Sequence, residues 1–218
     1  SNYTITYETA TLTVSATSQS TLTLTSTSGT YGTTLKLTTS GGSGTGAVSY
    51  STSSAGCSIT NTDSLTVTGA ITCSVTATKA ADSNYNSASS SATNVVFATR
   101  SITITAANKS ATYTGSTVSV SNSYTISSGT LVGSDTFTSL TYTYTSASPS
   151  YNSTTAPTAA GTYTITPSAA NFTTGSASNY TITYETATLT VSATSQSTLT
   201  LTSTSGTYGT TLKLTTSG

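Results

Sequence analysis

The chain has 218 residues, of which only ten are charged, five of each sign, and it contains no His, Met or Trp. That leaves few groups for acid–base, nucleophilic or metal chemistry, and a net charge of zero offers no basic stripe to nucleic acid. No run approaches the roughly 18 apolar residues of a membrane span, so no membrane insertion is expected of this segment.

Thr (61) and Ser (43) make nearly half the chain. Such a composition suits either disorder or sheet, because Ser/Thr tracts often bury too little apolar surface to offset chain entropy, while β-branched Thr fits a pleated strand. Periodicity decides for sheet. In chain order, two-fold alternation runs over Thr21 to Thr25 (TLTLT), Thr34 to Thr38 (TLKLT), Ser64 to Thr68 (SLTVT), Ile71 to Thr78 (ITCSVTAT), Ser101 to Thr105 (SITIT), Thr162 to Thr166 (TYTIT) and Thr188 to Val191. Each run places Leu, Ile, Val or Tyr on one face and Thr or Ser on the other. Turn-forming clusters (SGTYG, SGGSGTG, SSAG, SSG, APTAAG) separate them. No window carries a convincing amphipathic helix.

Ser1 to Gly41 recurs letter for letter as Ser178 to Gly218, a period of 177 residues. Identity that includes surface and turn positions implies recent duplication of a long unit. A period of this length fits two β-domains rather than a solenoid repeat. The joints are expected near Ser18, Arg100 and Ser195, where one alternating run passes into another with no Pro/Gly-rich hinge. Residues 1–17 then read as the last strand of a preceding module, 18–99 and 100–194 as two complete modules, and 195–218 as the first strands of the next. Ser1 enters in mid-strand pattern and Gly218 leaves in a turn, so the chain reads as a window from a longer array.

Residues 18–99 resemble the Ig-like repeats of large bacterial surface proteins, through TLTLTSTSGTYGTTLKLTTSGGSGTGAVSYS, AGCSI and ITCSVTATKAADSNYNSASSSATNVVFA. Residues 100–194 resemble the MBG (mostly β-grasp) module, through ATYTG (Ala111 to Gly115), AGTYTITPS (Ala160 to Ser168) and SNYTITYETATLTV (Ser178 to Val191). The resemblance implies an all-β chain of serial β-sandwich (Ig-like) and β-grasp-like modules arranged as an elongated rod, in an exported protein.

Cys57 and Cys73 are the only thiols. Their spacing suits two nearby strands joined through the turn around Asn61 and Asp63, and a disulfide there implies an oxidising, extracellular location. Two buried free thiols or a metal site are the competing readings, the latter short of ligands without His. The acids Glu8, Asp63, Asp82, Asp135 and Glu185 form no cluster in the sequence, so no metal, cofactor or catalytic residue is expected. Asp63 and Asp82 lie in turn-like stretches and are expected to satisfy backbone amides. Lys36, Lys79 and Lys109 read as solvated, with a Lys109 to Asn cross-link assisted by Glu185 as the sharper alternative. The fourteen Tyr are read as filling or edging the core, against a sugar-binding face. Asn2, Asn108, Asn152, Asn171 and Asn179 each begin an N-x-S/T triplet, a pattern that arises by chance in so Thr-rich a chain.

The expected function is that of a non-enzymatic stalk segment of a secreted tandem-repeat adhesin or extracellular fibre. Its expected partners are neighbouring repeats and laterally bundled copies, because near-zero charge removes repulsion between them. A subunit of a donor-strand filament and a glycan-binding β module are the alternatives.

Overall fold

The computed structural model describes residues 2–120, 123–201, 205–212 and 216–217. Among these the chain is all-β, with no α-helix and a single 3₁₀ turn at Ala177–Asn179. Of the segment 195–218, residues 202–204, 213–215 and 218 lie outside the described residues, as does Ser1.

The chain forms two compact units. The first comprises Ser1–Thr103, Ile126–Thr138 and Ala170–Thr183, and the second Ile104–Thr125, Ser139–Ala169 and Tyr184–Gly218. Residues 100–194 therefore contribute to both.

In the first unit, one sheet takes the order Ser28–Thr30, Thr93–Ala98, Thr72–Lys79, Val48–Thr52, with Ala88–Ser89 also paired to Thr72–Lys79. Ser28–Thr30 runs parallel to Thr93–Ala98, Val96 opposite Ser28, and the neighbouring pairs are antiparallel. A three-stranded sheet takes the order Leu35–Lys36, Ser64–Val67, Cys57–Thr60. The alternation visible in the sequence becomes alternation of burial: Cys73, Val75 and Ala77 are fully buried along Thr72–Lys79, and the Ser and Thr between them are more exposed. These side chains meet Leu22, Leu24, Leu37, Leu65, Val95 and Phe97 in one core, so the two sheets are held face to face by apolar burial.

The second unit is built on most of a sheet ordered Lys109–Thr112, Ala187–Ser192, Gly161–Thr174, Thr136–Ala147, Ser150–Ser153, of which Thr136 to Thr138 and Ala170 to Thr174 count with the first unit. Lys109–Thr112 lies parallel to Ala187–Ser192, with Lys109 opposite Leu189 and Thr112 opposite Ser192. On the other side, Gly161 to Ile165 run antiparallel to Val191 to Ala187. Ala187–Ser192 thus has a bonded neighbour on each edge. Its inward residues Leu189 and Val191 enter a core with Tyr142, Tyr144, Tyr163, Ile165, Val118 and Val120.

Candidate functional site

Each inward residue of the two-fold pattern is spent on packing, so the polar chemistry of the first unit concentrates where strands end. Tyr31 ends the run SGTY, paired through its amide to Ala98 O at 2.9 Å. Tyr180 begins the strand Tyr180–Glu185, immediately after the 3₁₀ turn. Asp135 closes the loop that follows Tyr124–Ser128, its amide bonded to Val132 O at 2.9 Å.

These three residues, separated by 104 and 45 positions along the chain, meet at one carboxylate oxygen. The Tyr31 hydroxyl donates to Asp135 Oδ2 at 2.9 Å and the Tyr180 hydroxyl donates to the same atom at 2.6 Å. Tyr180 also accepts from the Val132 amide at 2.8 Å. The Tyr31 and Tyr180 rings meet edge to face with centroids 5.7 Å apart, and Phe172 stacks on Tyr180 at 5.4 Å with Phe137 beyond it at 5.5 Å. Charge-assisted bonds inside an aromatic wall are stronger than neutral ones in water.

The surrounding backbone is shaped to admit the cluster. Gly32, at φ +81°, has Val132 so close that an added Cβ would lie 2.3 Å from its Cγ2. Gly175, at φ +79°, lies against Asp135, where a Cβ would come within 2.3 Å of the carboxyl carbon. Both positions require glycine for conformation and for space. The loop is further pinned by Arg100, whose Nε donates to Thr130 O at 3.0 Å and whose Nη2 donates to Thr130 Oγ1 at 2.9 Å. Asn179 Oδ1 accepts from the Ala70 amide at 3.0 Å, and Thr99 and Thr181 share a hydroxyl bond at 2.5 Å.

Burial, reinforced by the Asp135 carboxylate, raises the ionisation of both tyrosines above the ordinary phenol range; at Tyr31 a hydrogen bond from Asn179 partly offsets this. Both hydroxyls stay protonated and donating across the neutral range. The arrangement is a clasp, tying three distant segments of one unit through one acceptor.

A second tie, this one covalent, is the disulfide Cys57–Cys73, with Cα atoms 6.0 Å apart. It links Cys57–Thr60 of the three-stranded sheet to Thr72–Lys79 of the larger one, crossing the core they share.

The remaining residues singled out in the sequence lie apart from the clasp. Asp82 satisfies backbone amides: it accepts from the amides of Thr45 (2.6 Å), Asn84 (2.9 Å) and Tyr85 (2.9 Å), and these bonds, that of Asn84 foremost, hold its carboxyl below the usual range. Asp63 pairs with Lys36 at 3.7 Å and accepts from the Ser64 hydroxyl. Lys79 donates to Gly42 O at 3.3 Å, Lys109 donates to Ser119 O, and Glu185 accepts from the Thr105 hydroxyl at 2.7 Å. Lys109 and Glu185 are thus engaged by different partners. Asn179, one of the five triplet asparagines, is buried, whereas Asn2, Asn108, Asn152 and Asn171 are exposed. Glu8 is exposed. Among the described residues there is no group of three or more His, Cys, Asp or Glu placed to hold a metal ion, and no helix long and apolar enough to cross a membrane.

Tyr142, Tyr144 and Tyr163 of the second unit go to its core, whereas Tyr113 and Tyr208 are exposed. Tyr142 and Tyr144 are 7% and 2% exposed, with hydroxyls bonded to Ser123 O and to the Val120 amide. They line a cavity of about 320 Å³ together with Ser119, Thr141 and Thr154.

In the sequence Asp135 stands apart from the other acids and SGTYG has the composition of a turn. Nothing in the spacing of Tyr31, Asp135 and Tyr180 relates them; only sheet pairing does. No curated protein matches this chain. Residues 102–190, which carry Asp135 and Tyr180, match the family model described as the MBG domain (YGX type), in agreement with the resemblance carried by ATYTG, AGTYTITPS and SNYTITYETATLTV.

Proposed function

We propose that this chain is a structural segment of a tandem-repeat surface protein, in which Ig-like and MBG modules alternate as a non-enzymatic stalk. The observation that carries this reading is the verbatim recurrence of 41 residues at a 177-residue spacing around a segment that matches the MBG domain. Repetition at that scale multiplies length without changing chemistry, which is what a spacer needs. The inter-sheet disulfide supports an oxidising, extracellular setting and an Ig-like first module. The clasp supports a load-bearing role, since it ties segments across the first unit by bonds that water would otherwise compete for.

The test is an immunoblot of the source cells with antibodies raised against this chain, before and after mild protease treatment of intact cells. The expected result is a polypeptide far larger than the 21.7 kDa of this segment, lost on protease treatment. A ladder of subunits near that mass favours the donor-strand polymer, and a protease-resistant intracellular species overturns the proposal.

A further inference from the structure

The chain contains an internal control that no engineered variant could improve. Residues 2–15 and 179–192 have one sequence and two fates. In the second copy, Tyr180, Leu189 and Val191 are 6%, 0% and 2% exposed, and Ile182 and Tyr184 are partly buried. In the first, the equivalent Tyr3, Leu12 and Val14 are 89%, 89% and 86% exposed, with Ile5 at 71% and Tyr7 at 85%. Five large apolar side chains at two-residue spacing within each half therefore stand on one exposed segment. A stripe of this kind marks an interaction surface.

The same sequence defines the partner. Ala187–Ser192 is buried because Lys109–Thr112 pairs with it on one edge and Gly161 to Ile165 on the other, over the core of Tyr142, Tyr144, Tyr163 and Ile165. Residues 10–15 carry the identical pattern and so demand the identical slot.

We propose that residues 2–15 are an interchangeable closing segment, and that their partner is the second unit of another copy of this chain, entered in the register of residues 179–192. In that register Thr13 takes the place of Thr190 opposite Thr162. The occupied slot explains why exchange needs an opening: each copy fills its own site with a tethered segment whose effective concentration exceeds that of any free copy. Between adjacent identical repeats, both segments are tethered and either can close the sheet. The inference requires only the duplicated sequence and the fold, and so stands apart from the surface-stalk reading.

The experiment uses the full chain. With its own closing strand intact, the chain is expected to run as a monomer in light-scattering chromatography. Leu189→Asp with Val191→Asp disables that strand and leaves Leu12 and Val14 untouched. This variant is expected to associate in a concentration-dependent manner, at two or more times the monomer mass. Thr13→Cys with Thr162→Cys, added to the same variant, is expected to give an intermolecular disulfide identified by peptide mass spectrometry. Further Leu12→Asp with Val14→Asp is expected to return the chain to monomer and remove that cross-link. A Leu189→Asp/Val191→Asp chain that stays monomeric, folded or not, overturns the proposal, because the intact copy of the strand then entered no second chain. Association that persists without Leu12 and Val14, or without the 13–162 cross-link, overturns it equally.

Discussion

At the scale of single residues, Tyr180 makes two bonds in the clasp, donating to Asp135 and accepting from the Val132 amide. Tyr180→Phe removes a bond to a carboxylate and strands the Val132 amide, at an expected cost of about 1.5–3 kcal/mol, measurable by chemical denaturation. Tyr31→Phe breaks the bond to the same carboxylate and the one received from Asn179 but strands no backbone amide, and is expected to cost less. The tyrosine ionisations contribute to the pH dependence on the alkaline side. Both phenols ionise at higher pH in the folded protein than in the unfolded chain, where the value is 10.0. Below that value the two states bind the same protons and the contribution is constant. Above it the unfolded chain releases protons that the native hydroxyls keep, so stability is expected to fall as pH rises past 10.0, more shallowly in Tyr180→Phe.

At the scale of elements, the hairpin joining Cys57–Thr60 to Ser64–Val67 combines a constraint with a strain. Asn61 and Thr62 both adopt positive φ, at 48° and 70°. Asn tolerates that region, but a β-branched residue does not, and Gly adopts it without a Cβ clash. Thr62→Gly is expected to raise stability by about 1 kcal/mol, seen as a higher denaturation midpoint at unchanged slope. The disulfide closes a loop of 16 positions over the same hairpin. Replacing both cysteines with Ala is expected to cost about 3 kcal/mol on the chain-entropy account, with the loss confined to unfolding of the first unit. Periodicity marked some of the strands, among them Ser64–Val67, Thr72–Lys79 and Arg100–Ala106, because burial on one face of a pleat imposes a period of two, but the seven alternating runs did not include Thr93–Ala98 or Thr136–Ala147. It could not tell which strands are neighbours: Ser28–Thr30 lies parallel to Thr93–Ala98 with no mark in either sequence.

At the scale of the whole molecule, the duplicated segment separates sequence from context. Leu12 and Leu189 have the same neighbours in sequence and opposite exposure, 89% against 0%. Leu189→Ala is expected to cost about 2–5 kcal/mol, and Leu12→Ala to fall within about 0.5 kcal/mol of the unmodified chain, in parallel thermal and denaturant melts. Equal effects at the two positions would show that residues 2–15 are already covered. The same inversion runs the other way in the rest of the duplicated stretch: Leu22, Leu24 and Tyr31 are 2%, 3% and 5% exposed, and their copies Leu199, Leu201 and Tyr208 are 70%, 51% and 105% exposed.

The amino-acid sequence by itself determined that this protein is built of strands, that their apolar faces are Leu, Ile, Val and Tyr at alternate positions, and that a long unit is repeated. These are local properties, carried by residues within a few positions of one another. Only the tertiary structure decided which copy of an identical strand is buried, and that Tyr31, Asp135 and Tyr180 share one oxygen. Burial and clasp formation depend on partners tens of residues away, brought alongside by sheet pairing, and a strand's own sequence states what it needs but not whether that partner is there.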